Sequence, residues 1–174
     1  MFITKYKTPF GETTLASDGE NLTGLWFDGQ KYFASTISEE TEIKNDLKIF
    51  QKTKDWLERY FANEKPLISE LSLNPHGSEF RKAVWQILCE IPYGKVVTYG
   101  EIAVRIAKAF NKPNMSAQAI GGAVGHNPVS IIIPCHRVVG TNGSLTGYAG
   151  GINKKIQLLN LEGVDVSKFK KPVQ

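Results

Sequence analysis

The charge and the residue pattern of this 174-residue chain both change near its middle, which predicts two unlike halves. Residues 1–72 contain 9 Lys or Arg and 12 Asp or Glu, a balance of −3. Residues 73–174 contain 12 and 5 of them, a balance of +7, together with both cysteines and all three histidines. We therefore expect three segments: a domain at residues 1–74, a basic domain at 75–165 and a loose basic tail at 166–174.

The basic half is typical of a domain that binds a polyanion, although lysines that serve only solubility give the same balance. Apolar residues make up 41% of the chain and charged residues 22%, which excludes a disordered or fibrous protein. The longest apolar runs are too short to span a bilayer, and residues 1–11 lack the apolar core of a signal peptide. We expect a cytoplasmic protein that does not enter the membrane.

In the acidic half, three short alternating segments separated by turn residues predict an antiparallel meander. We place the strands at residues 2–8, 12–17 and 22–28. Residues 41–63 then carry apolar side chains at helical spacing, which predicts an amphipathic helix packed on the sheet. The side chains that set this spacing are Ile43, Leu47, Phe50, Leu57 and Phe61.

The basic half predicts several short helices. One spans residues 79–90 and places Cys89 among apolar neighbours, where we expect a structural thiol. A last helix, capped by Asn153, is expected to end at Gly163. Between them, a capping box at Thr98 and Glu101 starts a helix at residues 99–110, and Ser116 caps another at 117–124. Two short helices joined by a tight turn predict a helix-turn-helix.

The second helix of this pair is almost free of large side chains, since residues 117–123 read AQAIGGA. A helix of Ala and Gly lets another surface approach its backbone closely. In a basic domain that surface is a candidate nucleic-acid groove. A tight contact with another helix of the same chain is the alternative, and the sequence pattern leaves both open.

Cys135 and His136 are adjacent and follow three isoleucines at residues 131–133, which we expect to form a short buried strand. Neighbouring side chains in a strand point to opposite faces, so this pair can cooperate only if the chain makes a local turn. An imidazole that removes the thiol proton creates the nucleophilic thiolate, and its other nitrogen needs an acceptor. Among the five carboxylates of this half, Glu162 is our candidate for that acceptor.

Neither a disulfide framework nor a metal site is expected. Two cysteines cannot build such a framework. The histidines, His76, His126 and His136, show no paired spacing of the kind that zinc sites use. We expect no metal and no cofactor.

Residues 133–138 (IPCHRV) resemble the active-site signature of the O6-alkylguanine-DNA alkyltransferases, and the chain looks like a short bacterial member of that family. Further segments match the family in order and spacing. They are residues 93–99 (YGKVVTY), 119–123 (AIGGA), 127–128 (NP), 147–151 (GYAGG) and 161–163 (LEG). The resemblance is strong over residues 75–163 and weaker over residues 8–11 and 24–25.

The resemblance implies an α+β fold with an N-terminal RNase H-like antiparallel sheet and helix, and a C-terminal helical winged helix-turn-helix domain. It implies direct-reversal DNA repair, in which Cys135 irreversibly takes the alkyl group of O6-alkylguanine, with O4-alkylthymine as a second candidate substrate. The protein is expected to act once, as a monomer, on double-stranded DNA. It is expected to bind through the minor groove, whose width of about 6 Å accounts for a helix of small residues.

The resemblance also implies individual roles. His136, through a water, takes the thiol proton, Glu162 orients His136, and Asn127 organises the turn. Tyr99 crowds the phosphate of the flipped nucleotide and can protonate the leaving guanine. The residues implied for DNA contact are Gln118, Ala119, Gly122 and Tyr99. Those implied for the wall of the base pocket are Val124, Leu145, Tyr148, Ala149 and Gly150.

One position departs from the family pattern. Most relatives have an arginine that fills the gap left by the flipped nucleotide, and Gln118 stands at that position here. We expect Gln118 to fill the gap, with an ordinary solvated helix residue as the alternative.

Two other functions compete with alkyl transfer. Some alkyltransferase-like proteins lack the cysteine and only bind lesions, but Cys135 is present here. A cysteine hydrolase is the second alternative, and it would have to turn over.

Overall fold

The computed structural model describes residues 1–38 and 40–171, and they form two compact units. Unit 1 comprises residues 1–77 and 128–132, and unit 2 comprises residues 78–127 and 133 onward. The first unit combines a sheet with a helix and the second is mainly helical, as the predicted α+β fold requires. The sequence pattern did not predict that residues 128–132 would join the first unit.

Unit 1 is built on a four-stranded sheet in which residues 22–27, 11–17, 2–8 and 42–43 lie side by side in that order. The predicted strands are confirmed as β1 (Phe2–Thr8), β2 (Gly11–Ser17) and β3 (Leu22–Phe27), which pair as an antiparallel meander. Helix α1 (Lys48–Phe61) buries its apolar face in this unit. Side chains from the sheet and the helix form the core: Leu15, Leu25, Trp26, Phe50, Trp56 and Leu57, each at most 2% exposed.

The prediction of one helix over residues 41–63 was wrong at its start. Strand β4 (Glu42–Ile43) instead pairs in parallel with β1, and its outward-facing Ile43 is 75% exposed. The backbone N–H groups of Glu42 and Lys44 donate to the carbonyls of Met1 and Ile3. These strand hydrogen bonds replace the helical ones, and α1 begins only at Lys48.

The predicted buried strand at residues 131–133 was also wrong, although all three isoleucines are buried. Val129 pairs with Leu25 of β3, and the Leu25 N–H donates to the Pro128 carbonyl at 2.8 Å. Ile131 then adopts a φ of 70°, and the N–H of Ile132 donates to the Ser130 carbonyl. An apolar run identifies burial, but it does not tell a strand from a buried turn.

Unit 2 contains the predicted helix-turn-helix. Helices α2 (Glu79–Leu88), α3 (Tyr99–Ala109) and α4 (Ala117–Gly125) pack on one another, and β5 (Val97–Thr98) directly precedes α3. The predicted caps are present. Thr98 and Glu101 make the reciprocal bonds of a capping box, and the Ser116 hydroxyl accepts from the Ala119 N–H at 3.0 Å.

The small helix α4 has one packed side and one open side. Ile120, Ala123 and Val124 are buried, and the Trp85 indole of α2 donates to the Ala123 carbonyl at 2.9 Å. A Cβ atom added at Gly121, Gly122 or Gly125 would meet nothing within 4 Å. Contact with another helix therefore accounts for Ala123 but not for the glycines.

The end of unit 2 differs from the sequence-based prediction in two places. Helix α5 (Ile152–Leu161) follows Gly151, whose φ is 92°, so Asn153 lies inside the first turn and does not cap it. The predicted loose tail is held against the rest of unit 2 as far as Lys170. Phe169 lies against a core cluster of Val139, Leu145 and Leu159, and the Leu145 N–H donates to the Lys170 carbonyl. Residues 172–174 of that tail lie outside the described residues.

Candidate active site

Cys135 lies on a single turn of 3₁₀ helix, Cys135–Arg137, which follows Pro134 and leads into β6 (Val138–Val139). This is the local turn that the adjacent Cys and His need in order to share a site. The Asn127 amide donates to the Ile133 carbonyl at 2.7 Å, just before the turn begins. Asn127 is therefore placed where it can hold the turn in shape.

The Cys135 thiol is buried, with 5% of the residue exposed. Burial raises the pKa of Cys135 above its ordinary value, so the resting thiol carries its proton at neutral pH. Three features oppose this effect: a hydrogen bond from Asn127, the positive charge of Lys155, and the backbone N–H groups of Cys135 and His136. The site thus stabilises a thiolate once a base removes the proton.

His136 is fully buried and lies against Glu162, with 2.6 Å between Nε2 and Oε2. Burial lowers the pKa of His136, as do the cations of Arg137 and Lys155, while Glu162 acts in the opposite direction. The imidazole is therefore neutral at pH 7, and its Nε2–H donates to the carboxylate. Nδ1 then carries the lone pair, and it has no hydrogen-bond partner among residues 1–38 and 40–171. This nitrogen is available to accept a proton.

Glu162 directly follows α5 as its C-cap residue and is 6% exposed. Burial raises the pKa of Glu162, but the hydrogen bonds from His136 and Arg137 and the charge of Arg137 outweigh it, so the pKa lies well below the usual range. The carboxyl group is therefore ionised at neutral pH. The carboxylate that we chose from five candidates is the one that reaches His136.

Two charged residues of this site, Arg137 and Lys155, have no role that the sequence pattern predicted. Arg137 is 6% exposed and forms an ion pair with Glu162, in which its Nε donates to Oε1 at 2.7 Å. Lys155 is fully buried on α5, and its ammonium donates to the carbonyls of Val138 and Thr146 at 2.5 and 3.0 Å. Burial lowers the pKa of Lys155 to about 8, and Cys135 acts against that change. The available signal was a lysine on the inward stripe of α5, three residues after Ile152 and one before Ile156.

Tyr99 and Gly147 approach each other closely. The Tyr99 hydroxyl donates to the Thr146 carbonyl at 3.3 Å, and a Cβ atom at Gly147 would fall 2.6 Å from that hydroxyl oxygen. Burial raises the pKa of Tyr99 to about 12, and the nearby Cys135 adds to the rise. The phenol therefore keeps its proton at neutral pH and can donate it.

The other predicted pocket residues differ in their burial and in the side chains around them. Tyr148 is 9% exposed and meets the His136 ring edge to face, with 6.5 Å between ring centroids. Ala149 and Gly150 are half-buried next to it, and Val124 is buried on α4. Leu145 is fully buried in the core cluster with Val139 and Leu159, which gives it a packing role.

Three of the four predicted DNA-contact residues lie on α4, and the fourth, Tyr99, is the first residue of α3. Gln118 and Gly122 are exposed, and Ala119 is half-buried.

The other cysteine, Cys89, directly follows α2 and is half-buried, and burial raises its pKa to about 11. Its thiol is therefore protonated and unreactive at neutral pH.

Neither a metal cluster nor a membrane span is found in the part of the chain that the structure describes. Residues 1–38 and 40–171 contain no group of three or more His, Cys, Asp or Glu placed to hold a metal ion. Within the same residues, no helix has the length and apolar character that crossing a membrane requires.

Comparisons with known proteins identify the family of this chain. The model of the 6-O-methylguanine DNA methyltransferase DNA-binding domain matches residues 79–164, and that of the ribonuclease-like domain matches residues 1–75. A methylated-DNA–protein-cysteine methyltransferase of Haemophilus influenzae is 42% identical over 94% of this chain and 87% of its own length. One from Methanosarcina acetivorans is also 42% identical, over 94% and 99% of the two chains.

A solved structure extends the likeness to three dimensions. It is the crystal structure of Mycobacterium tuberculosis OGT in complex with DNA, which superposes with a TM-score of 0.81 at 37% identity. The match covers 97% of this chain and 98% of that one. On the shared motifs, the matched domains and the near full-length identity, this chain belongs to the 6-O-methylguanine DNA methyltransferase family.

Proposed function

We propose that this protein repairs DNA directly, by moving the alkyl group of O6-alkylguanine to the sulfur of its own Cys135. One observation carries the proposal: a buried thiol shares a turn with a neutral histidine that a buried, ionised carboxylate orients. The relatives named above are methylated-DNA–protein-cysteine methyltransferases, and one solved relative holds DNA. These names support the same chemistry for this chain.

The reaction needs a thiolate, and His136 provides it. Nδ1 of His136 takes the Cys135 proton through a bridging water, while its Nε2–H stays on Glu162 and stabilises the imidazolium that forms. The positive charge of Lys155 favours the thiolate over the thiol. The histidine that begins neutral is thus the group able to gain the proton.

Alkyl transfer is then a displacement at the alkyl carbon. The thiolate sulfur forms the new S–C bond, the C–O6 bond breaks, and its electron pair leaves with guanine. Tyr99 protonates the departing base, which its retained phenolic proton allows. The thioether product does not hydrolyse under these conditions, so each molecule reacts once.

The substrate base must leave the duplex before the buried thiol can reach it. Rotating a base out of the stack costs a few kcal/mol. We propose that α4 enters the minor groove with its open glycine side, where a backbone without Cβ contacts can approach the narrow groove closely. The protein binds double-stranded DNA in this way as a monomer.

A stoichiometry experiment tests the proposed function. Increasing amounts of protein are mixed with a fixed amount of duplex containing one O6-methylguanine, and the repaired strand is quantified. We expect the repaired amount to equal the amount of protein, with none for Cys135→Ser and parental repair for Cys89→Ser. Repeated turnover would favour a hydrolase, and tight binding without repair would favour a lesion-binding protein.

Gln118 supplies a prediction about the flipped nucleotide. It is exposed near the start of α4, where its amide can hydrogen-bond the base left without a partner. Gln118→Ala should slow repair of duplex DNA far more than reaction with the free base O6-benzylguanine. Gln118→Arg should tighten duplex binding and steepen its salt dependence by about one unit, because it adds a cation beside the phosphates.

The comparison of substrates decides the role of Gln118. Equal slowing on duplex and free base would place the residue in the shape of the pocket. No slowing on either substrate would make it an ordinary solvated helix residue.

A further inference from the structure

Arg137 is the one charged side chain of the signature IPCHRV, and the mechanism above gives it no task. Its guanidinium holds both oxygens of Glu162, with Nε at 2.7 Å from Oε1 and Nη2 at 3.1 Å from Oε2. Its remaining nitrogen, Nη1, donates to the Ile91 carbonyl at 2.7 Å. A bidentate pair of this kind fixes the plane of the carboxylate as well as its charge.

The turn after α2 supports the same pair from the other side. The Gly94 N–H donates to Oε1 of Glu162 at 3.1 Å, and the Tyr93 hydroxyl donates to the Leu161 carbonyl at 3.3 Å. The Tyr93 ring lies 5.7 Å from the Arg137 guanidinium. Gly94 has a φ of 76°, and a Cβ atom there would lie 2.9 Å from the Glu162 carbonyl oxygen. The segment YGK, which matched the family pattern without an assigned role, therefore frames Glu162.

Together these donors fix the orientation of the Glu162 carboxylate. Oε1 accepts from Gly94 and from Nε of Arg137, while Oε2 accepts from Nη2 of Arg137 and from His136. The oxygen that faces the histidine thus cannot rotate away without breaking the bidentate pair. His136 in turn keeps its proton on Nε2 only while that oxygen faces it.

We infer that Arg137 is a positioning residue for alkyl transfer, which acts through Glu162 to hold His136 in the tautomer that can accept the Cys135 proton. This inference rests on the proposed function and extends it by one residue. Arg137 touches neither the sulfur nor the alkyl group. Its effect reaches the reaction only through the carboxylate and the imidazole.

The charged groups around Glu162 and His136 predict how the loss of Arg137 changes the pH dependence of the transfer rate. Glu162 faces His136 and Arg137 from the 3₁₀ turn and Tyr93 from the turn after α2, while Lys155 of α5 acts on His136 and on Cys135. Loss of the Arg137 cation raises the pKa of Glu162 and also that of His136, because the cation opposes protonation of both. The reaction needs an ionised Glu162 and a neutral His136. The acid limb of the rate profile therefore moves to higher pH.

The experiment measures single-turnover methyl transfer from duplex O6-methylguanine over about pH 5 to 8, the range in which histidines titrate. The variants are Arg137→Met and Arg137→Lys, and the control is Arg59→Met, which removes another bidentate arginine that pairs with Glu70 on the surface. We expect Arg137→Met to be slower at pH 7 by about tenfold to a hundredfold, as when a partner that orients a functional histidine is lost. Its acid limb should shift upward, and Arg59→Met should match the parent protein.

A second readout separates positioning from folding. Nitrogen-15 NMR of the free protein should show His136 neutral with its proton on Nε2 in the parent and in Arg59→Met. In the Arg137 variants it should show the other tautomer or the imidazolium. Arg137→Lys keeps a cation without the bidentate grip, so it decides the question if Arg137→Met does not fold.

The outcomes are distinct. A slower rate with an unshifted acid limb and an unchanged tautomer would overturn the inference, and so would parental rates in both variants. A parent protein that transfers no methyl group at all would instead contradict the proposed function.

Discussion

Glu162→Gln is expected to slow methyl transfer by about a hundredfold or more at pH 7, measured as single-turnover repair of duplex O6-methylguanine. An amide offers one acceptor oxygen and an N–H₂ group in place of two acceptors. If the oxygen stays with Arg137, the N–H₂ faces Nε2 of His136 and favours the tautomer with its proton on Nδ1. In that tautomer Nδ1 carries a proton in place of its lone pair, so it cannot receive the Cys135 proton.

The same substitution should cost about 3–5 kcal/mol in the free energy of unfolding, because it leaves Arg137 buried without its counterion. The folded-state pKa of Glu162 lies below the unfolded value of about 4.3, so its stabilising contribution is complete at neutral pH. That contribution is lost as the pH falls through the folded-state pKa. The difference in stability between parent and variant should therefore narrow on acidification below about pH 4.

The matched control is Glu90→Gln, which breaks a surface ion pair with Arg105 in the same unit. Exposed pairs contribute little, so its rate and stability should stay within experimental error of the parent. If Glu162→Gln also reacts at the parental rate, the assignment of Glu162 as the partner of His136 is wrong.

Lys155→Met should slow methyl transfer by about tenfold or more at pH 7. The ammonium lowers the pKa of the Cys135 thiol, and each unit by which that pKa rises reduces the thiolate fraction about tenfold. The substitution also removes two hydrogen bonds, to the carbonyls of Val138 and Thr146. The measurement is the same single-turnover assay at saturating substrate.

The pH dependence identifies the cause. The pKa of Lys155 is about 8, so the parental rate should stop rising and fall above that pH as the ammonium loses its proton. In Lys155→Met this alkaline limb should be absent, and the low rate should keep rising as the thiol ionises. Lys154→Met, one residue earlier on α5, is the control and should keep the parental profile. An alkaline limb near pH 8 that persists in Lys155→Met would contradict this account.

Much of the fold could be predicted because local chemistry decides it. Turn residues and alternation located β1 to β3, and short polar side chains located the starts of α3 and α4. Predictions were wrong where tertiary hydrogen bonds override a local pattern. Glu42 and Ile43 pair with β1 despite their helical spacing, and Gly151 starts α5 in place of a side-chain cap.

The candidate site could be predicted only in part. Cys135 and His136 are adjacent in sequence, and Glu162 could be identified as a candidate because the basic half has few carboxylates. Arg137 and Lys155 were not predicted, because lysine and arginine are rarely buried and a sequence does not show their partners. Their positions depend on carbonyls and carboxylates that only the folded chain brings within 3.1 Å.

Packing within the chain explains only some of the small residues of α4. Its small residues were compatible with a packed helix or with an approaching groove. Ala123 is buried in packing, and Trp85 donates to its carbonyl. A Cβ atom added at Gly121 or Gly122 would meet no atom within 4 Å, so packing does not require glycine there. Gly122→Ala should therefore leave the free energy of unfolding at pH 7 within about 1 kcal/mol of the parent value, since helix propensity favours alanine.

Mass spectrometry of the intact protein after reaction with an O6-methylguanine duplex tests the central claim most directly. The mass should rise by one methyl group in place of one hydrogen, and peptide mapping should place that group on Cys135. A duplex with unmodified guanine should leave the mass unchanged. An unchanged mass after the lesion has disappeared, or a methyl group found on Cys89 instead, would contradict the account.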